Sequence, residues 1–497
     1  MSVGGVGMRS AAMVQSLLAM RTQLGNLQQQ MATGKKADTY AGLGLDRGLT
    51  VGLRGHLSAI SAFGNTITNV GVRLDLAQST LTRIAEIGRE VKAATAPVNS
   101  PSPQMTQKLA LNALGEILGL LNTQAGDRYL FSGLAADQPA VETVDRVLDG
   151  DGVRAGLRQV ISERQQADLG ASGLGRVAVT APTATSVEVA EDVAGSPFGF
   201  KLASIATGVT GATVSAPAGA PPAMAVDFGA ATPAEGETVT LRFTLPDGTT
   251  EALTLTATTS APPGAGEFTI GATPADTAAN FQAALTGSLG TLARTALTTA
   301  SAVAASDNFF NMDAANPPQR VAGPPFDTAT ALVDGTASNT MFWYTGEAGS
   351  GAARATAGAR IDQSISVNYG LRANEEGIRW QLQNIAVTAA LTITAGDPDA
   401  AALSAALNDR VRPALDVPQG KQTIETIQSE LAGAQASIQA AKERHQQTSA
   451  TLGNFLQQVE GVSNEEVAAQ ILALQTRLQA SLQTTAILYQ TNLLQYL

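Results

Sequence analysis

The chain has 497 residues, 44% hydrophobic but only 4% aromatic, so it has material for several domains whose contacts come from many small side chains and not a few large anchors. A formal charge of -11 argues against nucleic acid or an anionic membrane as partner, and the absence of cysteine excludes a disulfide scaffold and thiolate chemistry. No run approaches the roughly 18 apolar residues of a membrane span, and residues 1–7 lack the basic and apolar regions of a cleavable signal, which alone reads as cytoplasmic or as exported without one.

The first predicted element runs from Met13 to Met31. Met13, Leu17, Met20, Leu24, Leu27 and Met31 recur at gaps of four and three, the seam of a helix packed on another helix. The remaining positions are mostly Gln, Thr, Asn and Ser, with almost no charge. Gly34 interrupts this helix, and Lys35 to Gly55, with Tyr40, Leu43, Leu45 and Leu49, reads as a folded connector. From Leu57 to Val91 apolar residues advance by threes and fours for about ten turns, the length of a rod helix, which Pro97, Pro101 and Pro103 end. A third helix is predicted over Gln104 to Gln124. Gly126 to Gly133, GDRYLFSG, reads as a hairpin strand, and a further amphipathic piece spans Thr143 to Leu169.

Composition shifts near Arg176 to Ala, Thr, Gly and Pro, and strand patterns replace helical ones as far as Ala353. Val239, Leu241, Phe243 and Leu245 alternate with polar residues, Pro246-Asp247-Gly248 supplies a turn, and Leu253, Leu255 and Ala257 alternate again, a hairpin of a β-rich domain. One helix, Asp276 to Leu285, is expected across it. After Tyr369-Gly370 helices return, over Ala373 to Leu391, Asp399 to Val411 and Lys421 to Val459. At the far end Val467, Ile471, Leu474, Leu478, Leu482, Tyr489 and Leu493 repeat the opening seam, with Ser463 and Glu466 in the places of a capping box.

The two ends read as a pair. Burying six such side chains contributes roughly 9–18 kcal/mol, while ordering the segment costs a comparable or larger amount at about 1–2 kcal/mol per residue. The ends should therefore be stable only when packed on many neighbours. The expected fold is α+β: a long α-helical coiled-coil rod built from both termini, with an inserted β-rich outer domain. The expected division is a terminal polymerisation domain (1–45 and 460–497), a helical rod (46–175 and 354–459) and a variable outer domain (176–353).

Catalytic signals are poor. His56 and His445, the only histidines, lie within or beside predicted helices, where a structural role is the ordinary one. Gly42, Gly44 and Gly48 miss a GxGxxG loop by one place and follow no strand. Gly34-Lys35 has Gln29 where a P-loop needs glycine, and Gly170 to Leu174 lacks the last glycine of a nucleophile elbow. Asp149 and Asp151, without the rest of a calcium loop, read as a turn. No catalytic, cofactor or metal site is expected, and the candidate site is the pair of seams as a polymerisation interface.

Met31 to Lys36 (MATGKK), the GDRYLFSG stretch and the C-terminal run from Ala473 to Leu497 make the chain similar to the bacterial flagellin family over roughly 1–175 and 360–497. GDRYLFSG, the closing Leu493 to Leu497, Phe342-Trp343-Tyr344-Thr345-Gly346 and Val367 to Glu375 resemble its junction branch, whose members join hook to filament. Ala37-Asp38-Thr39-Tyr40 departs from the Pro-Ser-Asp run common in the family, and the middle is longer than junction proteins often carry, which leaves a filament-forming flagellin as the alternative. The resemblance implies a mechanical part and not an enzyme. Terminal helices would pack with those of neighbouring hook-associated or flagellin subunits in a helical tube, with the β domain outside. It also implies unfolded export through the flagellar type III apparatus, an export chaperone on the C-terminal helix, and an extracellular place without membrane insertion. Two other readings stand beside it: a soluble monomeric bundle, and a surface-binding role on the β domain.

Overall fold

The computed structural model describes residues 4–96, 102–312, 316–347, 349–394 and 396–494, the side chains of 4–10, 488–489 and 491–494 excepted. The chain is mixed α+β with long helices towards both ends. Its contacts divide it into two compact units, one of residues 1–70, 359–367 and 436–497, the other of 71–358 and 368–435. The divisions expected after residue 45 and before 460 both fall inside the first unit.

Helix α1 (Gly4–Thr33) stops at Gly34, whose φ of +66° suits a residue without Cβ. Helix α2 (Arg47–Ala94) begins ten residues before the expected rod helix, so Lys35 to Gly55 is not a connector throughout. Gly48, Gly52 and Gly55 each weaken a helix by about 1 kcal/mol, but Thr50 and Leu53 are buried, and that packing holds the segment helical. Tyr40, Leu45 and Leu49 are exposed, so the connector's apolar residues do not make a core of their own.

In the second unit α2 buries Leu74, Leu81, Ile84, Ile87 and Val91. Helix α3 (Pro103–Leu121) starts at Ser102, whose side chain accepts from the Met105 N–H, with Pro103 in the first turn. The GDRYLFSG stretch supplies the turn and second strand of a tight hairpin of β1 (Gln124–Ala125) and β2 (Arg128–Tyr129). The amphipathic piece over 143–169 is two helices, α4 (Val144–Asp149) and α5 (Leu157–Leu169), broken at Gly150 with φ +78°.

The β-rich part holds two four-stranded sheets. One is β3 (Val177–Thr180), β4 (Ser186–Glu191), β7 (Ala223–Asp227) and β6 (Thr213–Ala218), in that order. The other is β10 (Glu267–Thr269), β9 (Thr250–Thr258), β8 (Thr238–Thr244) and β5 (Lys201–Thr207). Strands β8 and β9 pair antiparallel with Leu241 opposite Leu253, the hairpin expected around Pro246-Asp247-Gly248. Phe228, Phe268 and Phe281 meet at 5.2–6.1 Å between ring centroids, tilted or edge-on, in the core beneath.

The expected helix over 276–285 is longer. Helix α6 (Pro274–Leu292) opens with a reciprocal capping box of Thr273 and Asp276 and runs through one π-helical segment into α7 (Thr298–Phe310). Helix α7 packs on α5 and on α8 (Glu376–Ala390). There Ser306 donates to the Gln383 carbonyl at 2.8 Å, and Gln383 donates to Asp307 at 2.9 Å. Trp343, fully buried, donates its indole N–H to the Phe310 carbonyl at 3.1 Å. Part of the 176–353 span thus belongs to the helical core. Helices α9 (Ala400–Ala414), α10 (Ile424–Glu460) and α11 (Asn464–Leu494) complete the order.

Candidate assembly surface on the terminal helices

Within the first unit α1 and α11 lie together. Leu27, Val467 and Leu474 are buried in one cluster, with Met20, Leu24, Val462 and Ile471 packed against them. Thr485 lies against Met13, its hydroxyl 3.1 Å from the sulfur. The helix ends are tied by backbone: Lys36 N–H donates to the Glu460 carbonyl at 2.7 Å and Val462 N–H to the Gly34 carbonyl at 3.1 Å. Arg54 adds an ion pair to Glu460 at 2.7 Å. Helix α11 starts as expected, with Ser463 accepting from the Glu466 N–H at 3.3 Å and two acidic side chains in the first turn, where the helix dipole favours them.

Of the seam residues, Met13, Leu17 and Leu478 are half-buried, but Met31 and Leu482 are exposed and stand outside the pair. The reason is polar substitution in the row. On α11 the half-buried positions after Leu478 are Ser481 and Thr485, and on α1 the position after Leu27 is Gln30, whose amide donates to the Lys36 carbonyl at 2.8 Å. Reading only large apolar residues slides the seam round the helix. The side chains of Tyr489 and Leu493 lie outside the described residues.

The sequence reading missed a second apolar set. Val14 and Leu18 on α1, and Leu472 and Ile487 with Leu482 on α11, are each at least half exposed. Arg9 and Arg21 are the only charged residues of α1, and Glu465, Glu466 and Arg477 the only ones of α11. Helix α10 carries six. The signal was present: both terminal helices have apolar residues on more than one side, a pattern that calls for burial on more than one side.

Also in the first unit, the 359–367 segment is held by Arg444, which donates to Asp362 at 2.7 Å, and by His445, whose Nε2 lies 2.8 Å from the Ile361 carbonyl oxygen and whose ring stacks on Phe63 at 5.7 Å. The Arg444 hydrogen bond is the main cause that holds the Asp362 carboxyl below its ordinary value. His56 is exposed on α2.

In the second unit the other singled-out stretches interlock. Ala373 N–H donates to the Phe131 carbonyl at 2.8 Å, Gly133 N–H to Leu371 at 3.0 Å, and Glu142 N–H to Trp343 at 2.9 Å. Glu375, buried beside Arg354, has its carboxyl pushed up by desolvation. Asp151 accepts from the N–H groups of Val153 and Arg154 at 3.1 and 2.7 Å, which makes its loop a turn. Among the described residues no group of three or more His, Asp or Glu is placed to hold a metal ion, and no helix is long and apolar enough to cross a membrane. A scan against models of protein families finds no match to the chain, and a search of curated proteins finds none either.

Proposed function

We propose that the protein is a structural subunit that assembles with copies of itself or with similar subunits through its paired terminal helices. The observation that carries this is the α1–α11 pair: apolar inside, apolar again outside, and nearly without charge. Each of the five exposed side chains, about half of it left to cover, gains roughly 1 kcal/mol on burial. Their sum does not clearly exceed the roughly 4–15 kcal/mol that one association event costs. A single contact is therefore weak, and an array in which each subunit meets several neighbours is favoured.

The flagellin-like stretches at both ends give the array a identity: a bacterial flagellum, with this chain as the hook–filament junction protein, similar to hook-associated protein 3. In this reading the long helices form a coiled-coil rod, the β-rich part faces outward, the partners are neighbouring flagellar subunits and an export chaperone, and the place is extracellular. The long middle, with its two sheets, favours a filament-forming flagellin as the second reading. Electron microscopy of a deletion strain separates them. Hooks without filaments are expected; shortened or altered filaments point to the second reading, and normal flagella overturn both.

A further inference from the structure

The GDRYLFSG hairpin and the Tyr369–Leu371 stretch wall a cleft of about 280 Å³ floored by Leu74 and lined by Arg73, Arg128, Tyr129 and Tyr369. Its walls are fixed. Tyr369 N–H donates to the Ala357 carbonyl at 2.8 Å, and a Cβ on Gly370 would come within 2.1 Å of the Thr356 hydroxyl. The cleft carries charge of one sign only. No Asp or Glu lines it, and the Arg128 side chain makes no hydrogen bond or ion pair among the described residues. Arg73 has one long contact, 3.4 Å to the Tyr369 hydroxyl. Asp75, its neighbour on α2, is taken by Gln435, and Asp127 sits in the exposed turn outside the lining. Two other cleft arginines of this unit are neutralised: Arg354 pairs with Glu375 and Glu430, and Arg372 with Glu347.

We infer that this cleft binds an oxyanion, a carboxylate or phosphate group, between the guanidinium groups of Arg73 and Arg128. Planar guanidinium forks match such groups in pairs of charge-assisted hydrogen bonds, and the phenols of Tyr129 and Tyr369 supply further donors at the same opening. The group comes from a small free anion or from an Asp or Glu side chain of a second copy. Anion binding here stands independently of the assembly proposal, since the residues lie outside the terminal helices; only the second-copy source rests on it.

The test uses the full chain, with inorganic phosphate followed by 31P line broadening and N-acetylglutamate by saturation transfer. Saturable binding that weakens as salt is added is expected, with affinity lowered at least about tenfold in the R73Q/R128Q variant and partly restored in R73K/R128K. Circular dichroism should be unchanged, and Arg128→Gln alone, at an exposed position, serves if the double variant misfolds. Polymerisation followed by light scattering tells the sources apart: an acidic side chain of a second copy makes it slower in R128Q and inhibited by phosphate, whereas a free anion leaves it unchanged. No saturable binding of either probe, or equal binding by R73Q/R128Q, overturns the inference.

Discussion

Asp362 couples one carboxylate to the seating of a whole segment. Its folded value lies below the ordinary 3.8, so its stabilisation is fully present above that value and is lost as pH falls through the lower folded one. Protection of the 359–367 amides, taken relative to the intrinsic exchange rate at each pH, is expected to fall as pH drops below the ordinary 3.8, and Asp362→Asn should remove that acid step while protection in α3 stays as it was. Single residues also mark where the sequence was legible. Ser463 caps the helix that its type and spacing announce, while Thr273 and Ser102 cap helices whose starts were read from apolar spacing and proline alone. Met31 and Leu482 mislead, because a seam completed by Gln30, Ser481 and Thr485 leaves no apolar trace.

At the scale of elements, α10 and α11 were readable to within a few residues, but the starts of α1 and α2, nine and ten residues earlier than expected, and helix α7 were not. The start of α2 was hidden by three glycines that tertiary burial overrides. Helix α7 was hidden because its first nine residues are almost all Thr, Ala and Ser, buried at Thr299, Ala300, Ser301 and Ala302 without hydrophobic contrast. The terminal pair now offers a sharper experiment than its inner seam alone. Leu27→Ala, at a buried position, should loosen α1 from α11 by about 2–5 kcal/mol, seen as faster proteolysis of both ends in the monomer. Leu18→Asp and Leu482→Asp, at exposed positions, should leave monomer proteolysis and melting unchanged yet block assembly. If both exposed variants assemble normally, the outer faces carry no neighbour.

For the whole molecule, the question is which part can be removed. The core of the two sheets and α6 takes only Ala293, Ala296, Leu297 and Ala300 from the π-helical segment and α7, and α5 and α7 meet beneath it, with Gln165 donating to the Thr298 carbonyl at 3.2 Å. Excision of 177–292 with a short linker should therefore keep the helical circular dichroism and cooperative melting of the remainder. Excision of 180–350 removes α7 and Trp343 as well. Phe309, Phe310 and Trp343 are fully buried, and at about 3–5 kcal/mol for each large aromatic their loss is comparable to the 5–15 kcal/mol that typically holds a domain. That deletion should melt at a much lower temperature or not fold, and equal stability of the two deletions would show that α7 is dispensable.

The backbone tie between residues 34–36 and 460–462 also imposes an order in time. A ribosome releases α1 more than four hundred residues before its partner α11. Until then the first helix has no seat, so the growing chain carries an unpaired apolar helix while everything between the two is made.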